Sequence, residues 1–295
     1  LFKGKAKITY DAAAKMRDND FWADHRTTKL TKSEAGMDSF IKNMSKTKHF
    51  KWIMFASKAL IENFVETGSE KTPSKVDIGP VNTFISKNFV DGIRLRASAR
   101  TTAKFNPHWF FEGYYAYGTK SHRSYYDAKV TYSFNKPEYQ PIEFPIRTLS
   151  FESNKDVESP SDKYLVHNKD NIFMTFRPVK VEKMSFINRQ KLNFMWETDY
   201  GLATSVELRT ESNVPTGKLI YEKMDGSLVD KVRMTELIVG LDYRPGQSYV
   251  NSKQQRMAVN LDAPEFKITH TMGIQNFLGS DFNTNLTEVS VYKRF

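Results

Sequence analysis

The chain contains no cysteine. That excludes disulfides, thiolate nucleophiles and thiolate metal sites, although it does not fix a compartment. No stretch approaches the roughly 18 consecutive apolar residues that a spanning helix needs. The mean hydropathy of -0.56 likewise excludes a bundle of membrane helices. A β-barrel escapes both tests, because only every second residue of its strands must be apolar. Signatures of chemistry are also scarce. The histidines are His25, His49, His108, His122, His167 and His270, and none forms a helical pair at metal-ligand spacing. There is no Gly-x-Ser-x-Gly elbow and no glycine-rich phosphate loop. No repeat of fixed period is evident. The chain opens Leu1-Phe2-Lys3, with neither an initiator Met nor an apolar signal stretch. It therefore reads as an internal fragment whose export signal lies upstream or has been removed. Neither an enzymatic activity nor a cofactor nor a metal is expected.

What is present is alternation. In Gly92 to Arg100, the residues Ile93, Leu95, Ala97 and Ala99 alternate with Arg94, Arg96, Ser98 and Arg100. Period two means strand, because successive side chains leave on opposite faces. Residues 108 to 118 are crowded with Trp109, Phe110, Phe111, Tyr114, Tyr115 and Tyr117. Then Tyr126, Ala128, Val130, Tyr132 and Phe134 alternate with Tyr125, Asp127, Lys129, Thr131 and Ser133. One face is apolar and aromatic while the other is charged, the pattern of a transmembrane barrel.

The remainder of the chain extends this reading. Tyr10 to Arg17 is rich in helix formers. Thr31 and Glu34 have capping-box spacing, and Met37, Phe40, Ile41 and Met44 follow at helical intervals. Such a helix packs on a neighbour, or else binds a partner or a membrane surface. Residues 50 to 66 pass from helical to strand-like. Gly79-Pro80 interrupts a strand over Ile78 to Ile85, which marks an edge or a bend. Asn135 to Pro145 and Ser153 to Asp170 read as loops, the second long and surface-exposed. Ile172, Met174 and Phe176 suggest a short strand. A hairpin turns at Asp199-Tyr200-Gly201, followed by a polar connection over Thr210 to Lys231. Further strands centre on Leu237 to Tyr243, Phe266 to Ile274, and Val289 with Val291. About ten strands follow residue 90 with no helical crossover, so the sheet is antiparallel. Short turns alternating with long loops suit an outer-membrane barrel.

Net charge is +10, from 44 basic and 34 acidic residues. The basic residues are spread along the strands and not gathered in one stripe. Nucleic acid is therefore not the expected partner. A lumen lined by Arg and Lys, or rims facing anionic lipid, accounts for the excess. Arg94, Arg96, Arg100, Glu112, Asp127, Lys129, Glu197, Glu207 and Arg209 are the candidate lumen charges. An Arg or Lys facing lipid at the midplane costs about 2–4 kcal/mol, which drives these residues inward. They would form a network of ion pairs, or an electropositive passage for anionic or polar cargo. Trp109, Tyr126, Tyr132, Phe134 and Trp196 are the candidate aromatics at the membrane interface. Tyrosines of this kind can also stack on sugars. The turn over Phe105 to His108 leaves the tyrosines' facing open by one residue.

Several segments resemble a Bacteroidetes family of outer-membrane proteins of unknown function. The matching residues include Phe21-Trp22, Arg26, Leu30-Thr31, Glu34 and Asp77-Ile78-Gly79-Pro80. The densest match is Gly92 to Arg96, Arg100-Thr101, Lys104-Phe105-Asn106, Trp109 to Tyr114 and Tyr117-Gly118. Later pieces are Pro215-Thr216-Gly217, Leu241 to Gly246, Asn260 to Pro264 and Tyr292 to Phe295. Members commonly carry an N-terminal carboxypeptidase-regulatory-like domain, which this chain lacks. The resemblance implies location and architecture, and it supplies neither a substrate nor functional residues. It also implies a barrel that continues past Phe295, so that Phe295 is an interior strand residue.

The expectation is thus a mainly all-β chain. A helical periplasmic segment over 1–50 would precede an antiparallel meander over 51–295, forming part of a transmembrane β-barrel of the bacterial outer membrane. Its partners would be outer-membrane lipid and other envelope proteins. Its role would be passage, assembly or anchoring. The alternatives are a soluble or surface-attached β-sandwich that binds glycans, and third an outer-membrane barrel hydrolase.

Overall fold

The structure, a computed structural model, describes residues 21, 24–25, 28, 31–44, 46–69, 72–162, 169–173 and 181–294. The expected helix over Tyr10 to Arg17 lies outside these residues, as do Met174, Phe176 and Phe295. The chain forms two compact units, Leu1–Ser57 and Lys58–Phe295.

The first unit holds a helix over Lys32–Met44. Its start carries the capping box. The Thr31 N–H donates to the Glu34 carboxylate at 2.8 Å, and the Glu34 N–H donates to the Thr31 hydroxyl at 3.3 Å. Two donors that a helix start leaves unpaired are thereby satisfied. A second helix, Lys48–Glu62, runs across the division.

The second unit is built on strands. They are β1 (Val65–Glu66), β2 (Val76–Ile78), β3 (Ile85–Asn88), β4 (Gly92–Thr101), β5 (Trp109–Gly118), β6 (Ser124–Ser133), β7 (Arg147–Glu158) and β8 (Lys183–Glu197), followed by β9 (Leu202–Gly217), β10 (Tyr221–Glu222), β11 (Leu228–Val229), β12 (Val232–Tyr243), β13 (Tyr249–Asn251), β14 (Arg256–Ala258), β15 (Glu265–Gly273) and β16 (Thr284–Tyr292). Twelve of them form one antiparallel sheet in the order β1-β2-β4-β5-β6-β7-β8-β9-β12-β15-β16, with β3 also paired to β4. The expected antiparallel meander is therefore found. β10–β11 and β13–β14 are separate two-stranded ribbons. The sheet's pairing path ends at β1 and β16, which do not pair with each other.

Gly79-Pro80 separates β2 from β3, and both share β4 as partner. A proline lacks the N–H that a continuous strand would need there. The hairpin turn falls at Thr198 to Gly201. Gly201 has φ 91°, in the left-handed region that glycine enters without steric cost.

Three expectations need correction. Ser153 to Glu158 belongs to β7 and is not loop. Thr210 to Gly217 belongs to β9 and is not part of a connection. Apart from Val157 in the first, and Val214 and Pro215 in the second, the side chains are polar on both faces, so period two leaves little trace in the sequence. Ile172 lies in a short turn of helix and not in a strand. The long segments also occur at both ends of the sheet, so short turns are not confined to one side. Residues 134–146 and 244–264 lie at the end where β4 leads into β5, called the first end below. The connections from β7 to β8 and from β9 to β12 are the long ones at the second end.

The register fixes the faces. Arg94 pairs with Gly118, Arg96 with Ala116, Ser98 with Tyr114 and Arg100 with Glu112. Opposed residues share a face, so this set continues through Asp127, Asn154, Arg189, Glu211 and Met234. This face is the buried one. The fully buried side chains include Arg94, Asp77, Asp91 and Asp156, and Arg94 is the largest of them. The other face exposes Ile93, Leu95, Phe111, Tyr115, Phe151 and Leu192. The main cluster of buried apolar side chains is small, comprising Ala116, Tyr125, Val157 and Met184 near the second end.

Candidate functional site: the charged inner face

The register places all nine candidate lumen charges on the buried polar face, through the pairs Arg100 with Glu112, Glu112 with Lys129, and Glu207 with Ile238 among others. Asp127 lies opposite Asn154, Arg209 opposite Glu236, and Glu197 opposite Ala203. The candidate aromatics Trp109, Tyr126, Tyr132 and Trp196 lie on the opposite face, and Phe134 continues the line of Tyr132. The tyrosine facing is settled as well. Tyr114 and Tyr125 point to the polar face, and Tyr115, Tyr117, Tyr126 and Tyr132 to the apolar one.

The centre of the polar face is a cluster around Arg94. Its guanidinium meets Asp156 at 2.7 Å, Asp91 at 3.3 Å and Asp170 at 3.3 Å, and stacks over the Tyr125 ring at 4.6 Å. Arg96 reaches Asp170 at 3.0 Å and lies 3.6 Å above the Tyr114 ring. Lys169 completes the set, 2.9 Å from Asp156 and 3.3 Å from Asp170. Three cations thus face three carboxylates. The Tyr125 hydroxyl donates to Asp91 at 2.6 Å, and the Tyr114 hydroxyl donates to Asp156. Moving one ion out of water costs several kcal/mol, and only close pairing with further hydrogen bonds offsets it. This cluster supplies both. Gly118, opposite Arg94, is part of the fit, because a Cβ there would come within 2.4 Å of the Asp91 carboxylate.

The charges continue away from this centre. Arg189 bridges Glu158, at 3.0 Å, and Glu211. Lys191 meets Glu152 at 2.7 Å, and Arg209 meets Glu236 at 2.6 Å. Asn154 donates to Asp127 at 2.7 Å. Between these side chains lies a polar cavity of about 530 Å³. Its lining alternates acids and bases, so the face is an ion-pair network in which each sign offsets the other.

Lys169 and Asp170, which follow β7 in the chain, lie against the polar face. Burial pulls the Lys169 ammonium down, but Asp156 and Asp170 outweigh it, and its pKa lies above the ordinary lysine value. Asp162, in the same segment, is pushed up by burial. At the first end, the loop over 134–146 also turns inward. Tyr139 donates to the buried Asp77 at 2.9 Å. Burial and that carboxylate raise the Tyr139 pKa.

The apolar face carries a band of rings packed edge-to-face or tilted at the first end. Trp109 packs on Tyr132, Tyr132 on Phe134, and Phe134 on both Phe194 and Trp196, with centroids 5.1–6.2 Å apart. Tyr126, opposite Tyr115, lies toward the second end. Among the described residues no group of His and carboxylates is placed to hold a metal.

Sequence reasoning missed Asp91, Asp156, Asp170 and Arg189. Asp156 and Arg189 lie in strand tails whose alternation is hidden by polar residues on the outer face. Asp170 reaches Arg94 across a long loop, and no local pattern signals that contact.

Fold and site together define a mainly β protein, one large antiparallel meander with a buried charged face and an exposed apolar one. The chain belongs to a family of unknown function, DUF5686, whose C-terminal domain it matches over residues 60–295. No curated protein and no solved structure matches it.

Proposed function

We propose that this chain spans the bacterial outer membrane as part of a β-barrel, and that it serves there as a non-enzymatic protein of passage, assembly or anchoring. The observation that carries the reading is the inversion of burial. The charged side chains are inside and the bulky apolar ones are outside. In water, each exposed Leu, Ile or Phe forgoes up to about 1.5–3 kcal/mol. Summed over β4 to β16, that exceeds the ~5–15 kcal/mol of net stability typical of a domain. In lipid the same face loses nothing.

Dimensions agree. Trp109 to Tyr117 spans about 27 Å at ~3.4 Å per residue. At the ~40° tilt of such barrels, this is about 21 Å along the membrane normal, close to the ~25 Å apolar band they carry. The packed rings from Trp109 to Trp196 suit an interface girdle. A glycan-binding sandwich would cover the apolar face with a second sheet. Among the described residues, the two other sheets are two-stranded ribbons. The Bacteroidetes envelope is the setting that the sequence resemblance favours.

Fractionation of cells expressing the full-length protein tests this. Recovery in the outer membrane, detergent extraction and a mobility shift on boiling are expected. Recovery as a soluble protein without detergent would overturn the reading.

A further inference from the structure

The β13–β14 ribbon crosses the polar face at the first end. Arg256 meets the buried Glu197, at the end of β8, at 2.7 Å. At the ribbon's tip, Lys253 meets Glu66 of β1 at 2.8 Å, and Gln254 accepts from Arg100 of β4. The ribbon follows β12, late in the sheet, and its tip touches the earliest strands. It therefore bridges opposite flanks of a curled sheet. Beneath it lies a cavity of about 340 Å³ lined by Ile146, Met195, Glu197, Ser205, Arg256 and Lys267.

The two ends of the polar face are held very differently. At the second end, Lys169 and Asp170 contact side chains that are 0–7% exposed. Breaking one such buried pair costs about two to four orders of magnitude in the closed population. At the first end the ribbon's base is held by a largely buried pair, Arg256 and Glu197 being 17% and 6% exposed, but its tip is held by Lys253, which is 56% exposed. Exposed pairs of that kind shift an equilibrium by less than about tenfold and are screened by salt. Of the ribbon's apolar side chains Val250 and Met257 are exposed, and Tyr249 is half-buried against the Phe144 ring at 5.1 Å and the Arg256 guanidinium.

We propose that the β13–β14 ribbon is a movable lid over the first mouth of the lumen, closed by Lys253–Glu66 and Arg256–Glu197, while the Asp170 cluster is a fixed closure of the second. Polar cargo or solvent enters from the first end when these two pairs open. The proposal rests on the membrane-barrel reading above.

This chain has no cysteine of its own, so with any cysteine elsewhere in the full-length protein replaced by Ser the test reads a single thiol. Ser205→Cys on the full-length protein, reconstituted in vesicles, reports access beneath the ribbon to a bulky water-soluble maleimide. Access tracks the open population when closing is fast. Lys253→Gln with Arg256→Gln should raise the labelling rate about tenfold or more, and so should replacing residues 248–259 by Gly-Gly. Ser150→Cys and Phe151→Cys, on opposite faces of β7, serve as controls. Unchanged Ser205→Cys labelling in both variants, with Ser150→Cys labelled and Phe151→Cys protected, would overturn the lid alone. Equal labelling at 150 and 151 would overturn the membrane reading, and the lid with it.

Discussion

Arg94 is the residue on which the inner face turns. It is fully buried, and it is tolerable there because Asp91, Asp156 and Asp170 surround it. Arg94→Gln should leave those carboxylates undercompensated and cost about 3–5 kcal/mol in unfolding free energy, read from urea titrations in detergent. Lys129→Gln is the contrast. Its pair with Glu112 is 3.9 Å long and partly exposed, so the change should stay within about 1 kcal/mol. Lys169 adds a dependence on pH. Its folded pKa is raised, so its stabilisation is complete below the unfolded lysine value of about 10.4 and is lost as pH rises through the folded value. The urea midpoint should therefore fall on going from about pH 10 to pH 12. In Lys169→Met the part of that fall due to this group should be missing. An identical alkaline profile in both proteins would count against the pairing.

At the scale of elements, each long strand carries a polar face and an apolar face, which on the proposed reading meet lumen and lipid. On β8, Leu192 faces the apolar side, while Asn193 faces Glu207 on the polar one. Leu192→Arg should cost about 2–4 kcal/mol in lipid, as lipid-facing cations do near the midplane. Asn193→Arg should be tolerated, because Glu207 is opposite to receive it. Equal costs at the two positions would contradict the assignment of faces. These central stretches were also the legible ones. Ile93 to Ala99 and Tyr126 to Phe134 declare their faces by strict alternation, and Thr31 with Glu34 declares a helix start. The tails of β7 and β9 were not legible, because Ser153 and Lys155, like Thr210 and Ser212, are polar on the side where an apolar residue would signal a strand. Alternation reports a strand only where its two faces meet different surroundings.

For the whole molecule, the sequence showed what kind of face each strand carries but not what closes over it. Asp170 and Arg256 approach the polar face from loops, at separations that no local pattern encodes. The resulting sheet buries a charged face and exposes an apolar one, and on the proposed reading lipid is the outer solvent. The most direct measurement is a single-cysteine scan of Thr148 to Asn154 on β7 in native outer membranes, with one water-soluble and one lipid-soluble thiol reagent. Alternating reactivity is predicted, with Leu149 and Phe151 taking the lipid-soluble reagent, and Thr148, Ser150 and Glu152 taking the water-soluble one. Uniform reaction with the water-soluble reagent along the strand would contradict it.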